Sequence, residues 1–356
     1  MKRLFPIVFA FVMVPAFTLA TVSGSLGYRY GNNIYQDYSA LADHQLLGEF
    51  RWKIDPQAAE SERHLLELSL GVEAYLRETA ATAVAVGLNW EHRRISEDRF
   101  GSAGFGANLN WYPDNPYLTG IVLGSPWLLR LDGPQASFYL PFKIAGALYP
   151  NPTNDLDTAD CSFAPMISWD PTTALTLEAS AGVRGGLYLE KSVISSSYAD
   201  TGTPVTYFDL RSKAHLDFHP LANLRFTATY EFRRSVSTRS GFETTGLFVP
   251  DYDGHLSHEA GAGLETLLWK RLLASASISW LDRTYDARPA HNGAMAAISP
   301  LTRVREGVLK GEVRLRYKLG RNVFLSAAYQ SYRDESNDSL VAATNQSGWA
   351  SVELRF

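Results

Sequence analysis

The sequence predicts an all-β fold: a closed, antiparallel β-barrel of about sixteen strands (fourteen to eighteen) that spans a membrane. Three observations carry this. Apolar and polar residues take turns along stretches long enough to cross a bilayer, which needs about 9–11 tilted strand residues, whereas strands of ordinary sheets average five or six. The connections alternate between short turns and long loops, the pattern of barrels that present one rim to each side of a membrane. The composition also fits strands: of 356 residues 12% are aromatic, 18 are Tyr and only 4 are Met. Hydrophobic residues make up 46%, yet mean hydropathy is only −0.14, so polar residues must dilute them evenly.

The first element is not part of the wall. "MKRLFPIVFAFVMVPAFTLA" carries Lys2 and Arg3, then an apolar stretch, then small residues up to Ala20. That order reads as a secretory signal peptide cut after Ala20, leaving residues 21–356 as the barrel. Pro6 and Pro15 and the short apolar core argue against a membrane anchor. Removing Lys2 and Arg3 from 33 basic residues against 37 acidic ones moves the formal charge from −4 to −6, which leaves no nucleic-acid footprint. Cys161 is the one cysteine, so neither an internal disulfide nor a cysteine metal cluster is expected, and no cysteine follows the cut to take a lipid. Beyond residue 20 no apolar run reaches eighteen residues, so no transmembrane helix is expected. The mature chain starts almost at once on "TVSGSLGYRY", and no plug domain is expected.

Sixteen segments follow period two: 22–30, 43–53, 64–77, 81–92, 102–112, 118–130, 136–149, 161–170, 173–190, 205–218, 222–233, 255–267, 272–282, 305–319, 323–332 and 346–356. In the third, Leu66, Leu68, Leu70, Val72, Ala74 and Leu76 share one face, with Glu67, Ser69, Glu73, Tyr75 and Arg77 on the other. The fifth, "GSAGFGANLNW", is glycine-rich inside a strand, which suits curvature better than a cofactor loop. The sixth, "LTGIVLGSPWLLRL", is apolar on both faces, as at a protomer interface or behind an infolded loop. The ninth sets Leu177, Ala179, Ala181, Val183, Leu187 and Leu189 against Glu178, Ser180, Arg184, Tyr188 and Glu190. The tenth sets Phe208, Leu210, Ala214 and Leu216 against Asp209, Arg211, Lys213, His215 and Asp217. Short connections fall at 132–135, 170–173, 219–223, 269–271 and 320–322, and long ones at 150–160, 191–204, 234–254, 283–304 and 333–345. With the N-terminus delivered to the periplasm, odd strands run outward and all these long loops lie outside.

The last segment, "GWASVELRF", ends the chain on an aromatic residue inside an alternating strand. An open sheet edge in lipid leaves unpaired N–H and C=O groups, so a final strand must close onto the first. In this ending the chain resembles bacterial outer-membrane β-barrel proteins of porin type. The resemblance implies that Val352, Leu354 and Phe356 face lipid and form the signal that the barrel-assembly machinery reads. It further implies residence in the bacterial outer membrane, among lipopolysaccharide. A looser similarity, to barrels associated with surface-polysaccharide export, transfers no site.

The polar face then becomes the lumen, and its charges are the candidate functional residues. Arg184, Arg211, Lys213, His215, Arg225, Arg233, Lys310, Arg314 and Arg316 form a basic arc that leans toward anionic solutes. Arg283 and Arg333 lie fifty and a hundred residues beyond Arg233, each where an outward strand meets a long loop, and are rim candidates. Carboxylates such as Glu231 and Glu312 share the lumen face and can satisfy some of these cations. "HLSHE" is the string most like a metal site, but His255 and His258 are three apart on a strand and face opposite sides. His215 is the candidate base if the barrel were a hydrolase, but no serine motif marks a partner. No catalytic residue, cofactor or metal is therefore expected. The expected function is an outer-membrane channel for passage or export of small polar or anionic solutes or a glycan, as a possible homo-oligomer. The alternative is a non-conducting scaffold that holds a surface or periplasmic partner.

Overall fold

A computed structural model describes residues 20–31, 42–55, 61–150, 156–242, 248–292, 298, 302–339 and 341–355. Residues 1–19 of the expected signal peptide, and Phe356, lie outside the described residues.

Every expected segment becomes strand over most of its length. The first half comprises β1 (Ala20–Gly31), β2 (Asp43–Ile54), β3 (Glu62–Tyr75), β4 (Ala83–Ile95), β5 (Arg99–Trp111), β6 (Gly120–Asp132) and β7 (Ala136–Leu148). Then come β8 (Thr158–Phe163), β9 (Met166–Thr172), β10 (Leu175–Ile194), β11 (Asp200–Leu221) and β12 (Leu224–Ser237). A two-residue-a-side hairpin, β13 (Gly241–Phe242) and β14 (Phe248–Val249), decorates the next loop. The wall resumes with β15 (His255–Trp269), β16 (Leu272–Pro289), β17 (Arg303–Lys318), β18 (Val323–Ser336) and β19 (Ala343–Arg355). Each wall strand pairs antiparallel with its neighbours, and β1 pairs with β19 from Ser23↔Arg355 to Gly31↔Ser347, which closes the cylinder. Closure leaves no strand edge to lipid, the condition a membrane sheet has to meet.

The barrel has sixteen staves because β8 and β9 together make one. Both lie between β7 and β10. The expected single strand over 161–170 is thus broken at Ala164–Pro165. Proline has no N–H for the ladder, and its carbonyl instead accepts from the Ala181 N–H at 3.1 Å. Gly182 makes room for this step: a Cβ there would lie 2.6 Å from the Ala164 Cβ.

The walls differ in height. β1 to β7 have 12 to 14 residues, whereas β10 and β11 have 20 and 22. The expected long loop over 191–204 is therefore mostly ladder, and only residues 195–199 turn. The same extension takes β16 on to Pro289 and β18 to Ser336. Backbone pairing does not stop where lipid stops; once above it, polar side chains tolerate both faces.

The outer face is apolar through the middle of the wall. Leu26, Trp127, Ile144, Phe208, Ile278, Val313 and Tyr329 are all about half exposed or more, as is normal only for a surface that lipid covers. Val352 and Leu354 belong to it, at 42% and 38% exposure. Val122, Pro126 and Leu128 of β6 point the other way, beside Ala147, Lys143 and Pro141 of β7, so the two-sided apolar sixth segment lines part of the lumen.

Candidate functional site: the barrel lumen

Register decides what each lumen charge meets, and it brings most of the basic arc onto carboxylates. Arg184 of β10 grips Asp160 of β8 with two hydrogen bonds, at 3.1 and 2.9 Å. Arg211 lies 3.2 Å from Glu231 across the β11–β12 ladder. Arg225 bonds Asp217 at 2.6 Å and Arg233 bonds Asp209 at 2.8 Å, again between β12 and β11. Arg314 holds Glu312 on its own strand at 2.7 Å and lies over the Trp349 ring. Arg316 reaches Glu353 of β19 at 2.7 Å and covers the Phe324 ring at 4.3 Å. The pairs between adjacent strands are diagonal, each arginine reaching a carboxylate two positions from its register partner, a span that long side chains bridge. Lys213 and Lys310 make no ion pair with any described residue, and neither do the lumen carboxylates Glu178, Glu259 and Glu265. The arc that looked cationic in sequence is therefore close to balanced in space.

His215 sits on β11 opposite Glu178 on one side and Thr229 on the other, and no serine or cysteine stands in either register position. His255 and His258 do face opposite sides. The His255 ring lies 2.9 Å from the Asp253 carbonyl, inside and buried, while His258 bonds the Tyr230 hydroxyl on the outer face. Among the described residues no group of three His, Cys, Asp or Glu side chains is placed to hold a metal ion.

The two rim candidates fall on opposite faces. Arg283 points inward and bonds Glu306 at 2.9 Å. Arg333 points outward and pairs with Glu335 at 2.8 Å. Equal spacing along the chain does not fix a face, because each strand starts its alternation afresh after its loop. The outer face just above the apolar belt carries two more pairs, Arg234 with Asp286 and Arg305 with Asp282.

Two features were not singled out from sequence. The first is a stripe of small residues across three adjacent strands: Thr227 and Thr229 of β12, Gly261 and Gly263 of β15, and Ser277 and Ser279 of β16. With Lys310, Glu312, Gln330 and Tyr332 beyond, they line a recess of about 570 Å³ in the lumen wall. Its signal was present, since these are the lumen positions of their strands, but small residues carry no chemistry when read singly. The second is the covered mouth. Inward-facing Leu281 and Val308 are buried, together with Val249, Ala290 and Val304, which puts chain from the long loops against the inner wall. Arg288 stacks over both Tyr252 and Tyr285, joining two of those loops. His291 bonds the buried Asp338 carboxylate at 3.1 Å, joining a third.

No family description and no curated protein matches the sequence. Solved structures match the fold. A bacterial polysaccharide outer membrane secretin superposes with a TM-score of 0.55 at 8% identity, covering 96% of this chain and 100% of its own. Salmonella typhi OmpF, in complex with daunomycin, gives 0.52 at 14% identity over 95% and 97%. A variant of OprD, a protein of Pseudomonas aeruginosa, gives 0.51 at 10% identity over 95% of each chain. At these identities the likeness is one of fold. An apolar belt, sixteen closed staves, a polar lumen and loops gathered at one rim define a membrane-spanning β-barrel with the fold of outer-membrane barrels. This chain shares that architecture with them.

Proposed function

We propose that this barrel is a channel of the bacterial outer membrane that lets small polar solutes, anions among them, pass between the periplasm and the outside. Inward transport, or export of a glycan, fits the same lumen. One observation carries the reading. The inner wall is lined by balanced ion pairs and by hydroxyls and glycines, a hydrated surface around a cylinder wide enough at sixteen strands for water to fill. Lys213 and Lys310 give whatever anion preference remains. On this reading residues 1–20 direct export, the terminal Val352, Leu354 and Phe356 are read by the assembly machinery, and the outward Arg333 lies level with lipopolysaccharide. The barrel has no enzymatic role on this reading.

The covered mouth favours the second reading, a closed barrel that serves as a scaffold for a surface or periplasmic partner. Planar-bilayer recording of the purified mature chain decides between them. Steady ion current, with a reversal potential shifted modestly toward anions in a salt gradient, supports the channel. Persistent silence across many insertions overturns it in favour of the scaffold.

A further inference from the structure

Beside the large recess lies a second, smaller one of about 100 Å³, and the two share Gln330 and Tyr332. The small recess is built at the seam where the first and last strands close. Arg29, Gln45 and Tyr75 stand side by side on β1, β2 and β3, and Tyr332 and Asn345 stand side by side on β18 and β19. Gln45 is 3% exposed and Asn345 is 9% exposed. The carboxamide oxygens of both have no hydrogen-bond partner among the described residues. A buried carbonyl oxygen left without a donor carries most of its desolvation cost, and native structures rarely keep two in one place without a use.

From this geometry we infer that the seam recess is a binding subsite for a neutral, polyhydroxylated solute, a sugar ring, that passes along the lumen wall. The inference rests on the reading of the barrel as a solute channel and names a class of solute for it. Two bare carbonyl oxygens ask for donors and repel a carboxylate or phosphate. Sugar hydroxyls supply donors. The Tyr75 and Tyr332 rings bring an apolar face of the kind sugar C–H groups pack on, while their hydroxyls are taken by Glu73 and Asp334. Arg29 adds a bare donor, because its buried Nε has no hydrogen-bond partner among the described residues, and a sugar hydroxyl can accept from it; Glu73, 3.8 Å from the guanidinium, offsets its charge. The adjoining large recess continues the theme with the hydroxyls of Thr227, Thr229, Ser277 and Ser279; its lining also carries one cation, Lys310, and one carboxylate, Glu312, the latter held by Arg314. Together they form a strip that offers hydrogen bonds without net charge, which suits a neutral ring better than an ion.

Titration calorimetry of the folded, detergent-purified barrel tests this, with glucose and glucuronate as probes that differ only at one carbon. Saturable millimolar binding of glucose is expected, with glucuronate at least about tenfold weaker. Asn345→Leu and Gln45→Met, which remove the carbonyls at nearly constant volume, should each weaken glucose several-fold and together about tenfold, the effect of losing about two neutral hydrogen bonds. Lys143→Ala, on the far wall, should change nothing. Absence of saturable heat with glucose, glucuronate binding as tightly, or unaltered affinity in Gln45→Met overturns the subsite. Calorimetry does not depend on conduction, so a silent barrel that binds glucose refutes the channel and keeps the subsite, and a conducting barrel that ignores glucose does the reverse.

Discussion

Placing a charge on the lipid face at the centre of β17 is the sharpest test of which side of the wall is which. Leu309, Gly311, Val313, Leu315 and Tyr317 are the outward positions of that strand within the apolar belt, below the outward Arg305, so Val313 is the middle one, and it is 53% exposed to what lipid covers. Arginine at the midplane of such a wall costs about 2–4 kcal/mol. Losing the lipid contact of a half-exposed valine adds roughly 0.8 kcal/mol, half of the figure for a whole valine. Val313→Arg should therefore destabilise the barrel by about 3–5 kcal/mol, read from the guanidinium midpoint of unfolding in phospholipid vesicles. Ser277→Arg is the control. Ser277 is the register partner of Glu312 on the lumen face, so an arginine there meets a carboxylate in a hydrated recess and should cost less than about 1 kcal/mol. If Val313→Arg unfolds within 1 kcal/mol of the wild type, or if Ser277→Arg is equally damaged, the assignment of inner and outer faces is wrong.

Further outcomes follow from single contacts. Gly182→Val brings side-chain atoms against Ala164, whose Cβ lies 2.6 Å from where a Cβ would stand, and overpacking of this kind costs about 1–3 kcal/mol by the same vesicle assay. Asp209→Ala strips the buried carboxylate from Arg233 and should move the reversal potential toward anions as well as costing about 1–3 kcal/mol; an unmoved potential would mean that Arg233 does not face the conducting path. Asp338→Ala removes the carboxylate that His291 bonds, and amide exchange at Ser339, whose N–H donates to the His291 carbonyl, should speed up if that contact holds the two loops together.

Period two made the wall legible. The expected segments 136–149 and 255–267 lie within two residues of β7 and β15 at each end, and the closure of the last strand on the first followed from lipid alone. What stayed hidden has a common cause. A single strand shows which of its residues share a face, but the partner of each residue depends on the register with the next strand. The pairing of Arg211 with Glu231, or of Arg316 with Glu353 some 37 residues away, is therefore invisible in either segment alone. The same gap let Arg233, Arg283 and Arg333 look alike until the faces separated them. Strand ends were misjudged where polar residues such as Lys191 and Thr203 stopped the alternation, because above the lipid the ladder no longer needs an apolar face.

Balanced pairing also constrains how such a lumen can choose among solutes. A row of unpaired arginines would fill the bore with positive potential and sort ions by charge at long range. Here Asp160, Glu231, Asp217 and Asp209 each hold a lumen arginine at contact, so each pair acts as a short dipole whose field decays within the water beside it. Long-range sorting is then weak, and discrimination has to come from contacts at the wall. One run of wall without an ion pair among the described residues crosses β12, β15 and β16 through Thr229, Gly261 and Ser279, and it leads to Tyr332 and Asn345 at the seam. A solute that gains most from touching that strip is one that offers hydroxyls, and the arrangement of charges elsewhere leaves it free to do so.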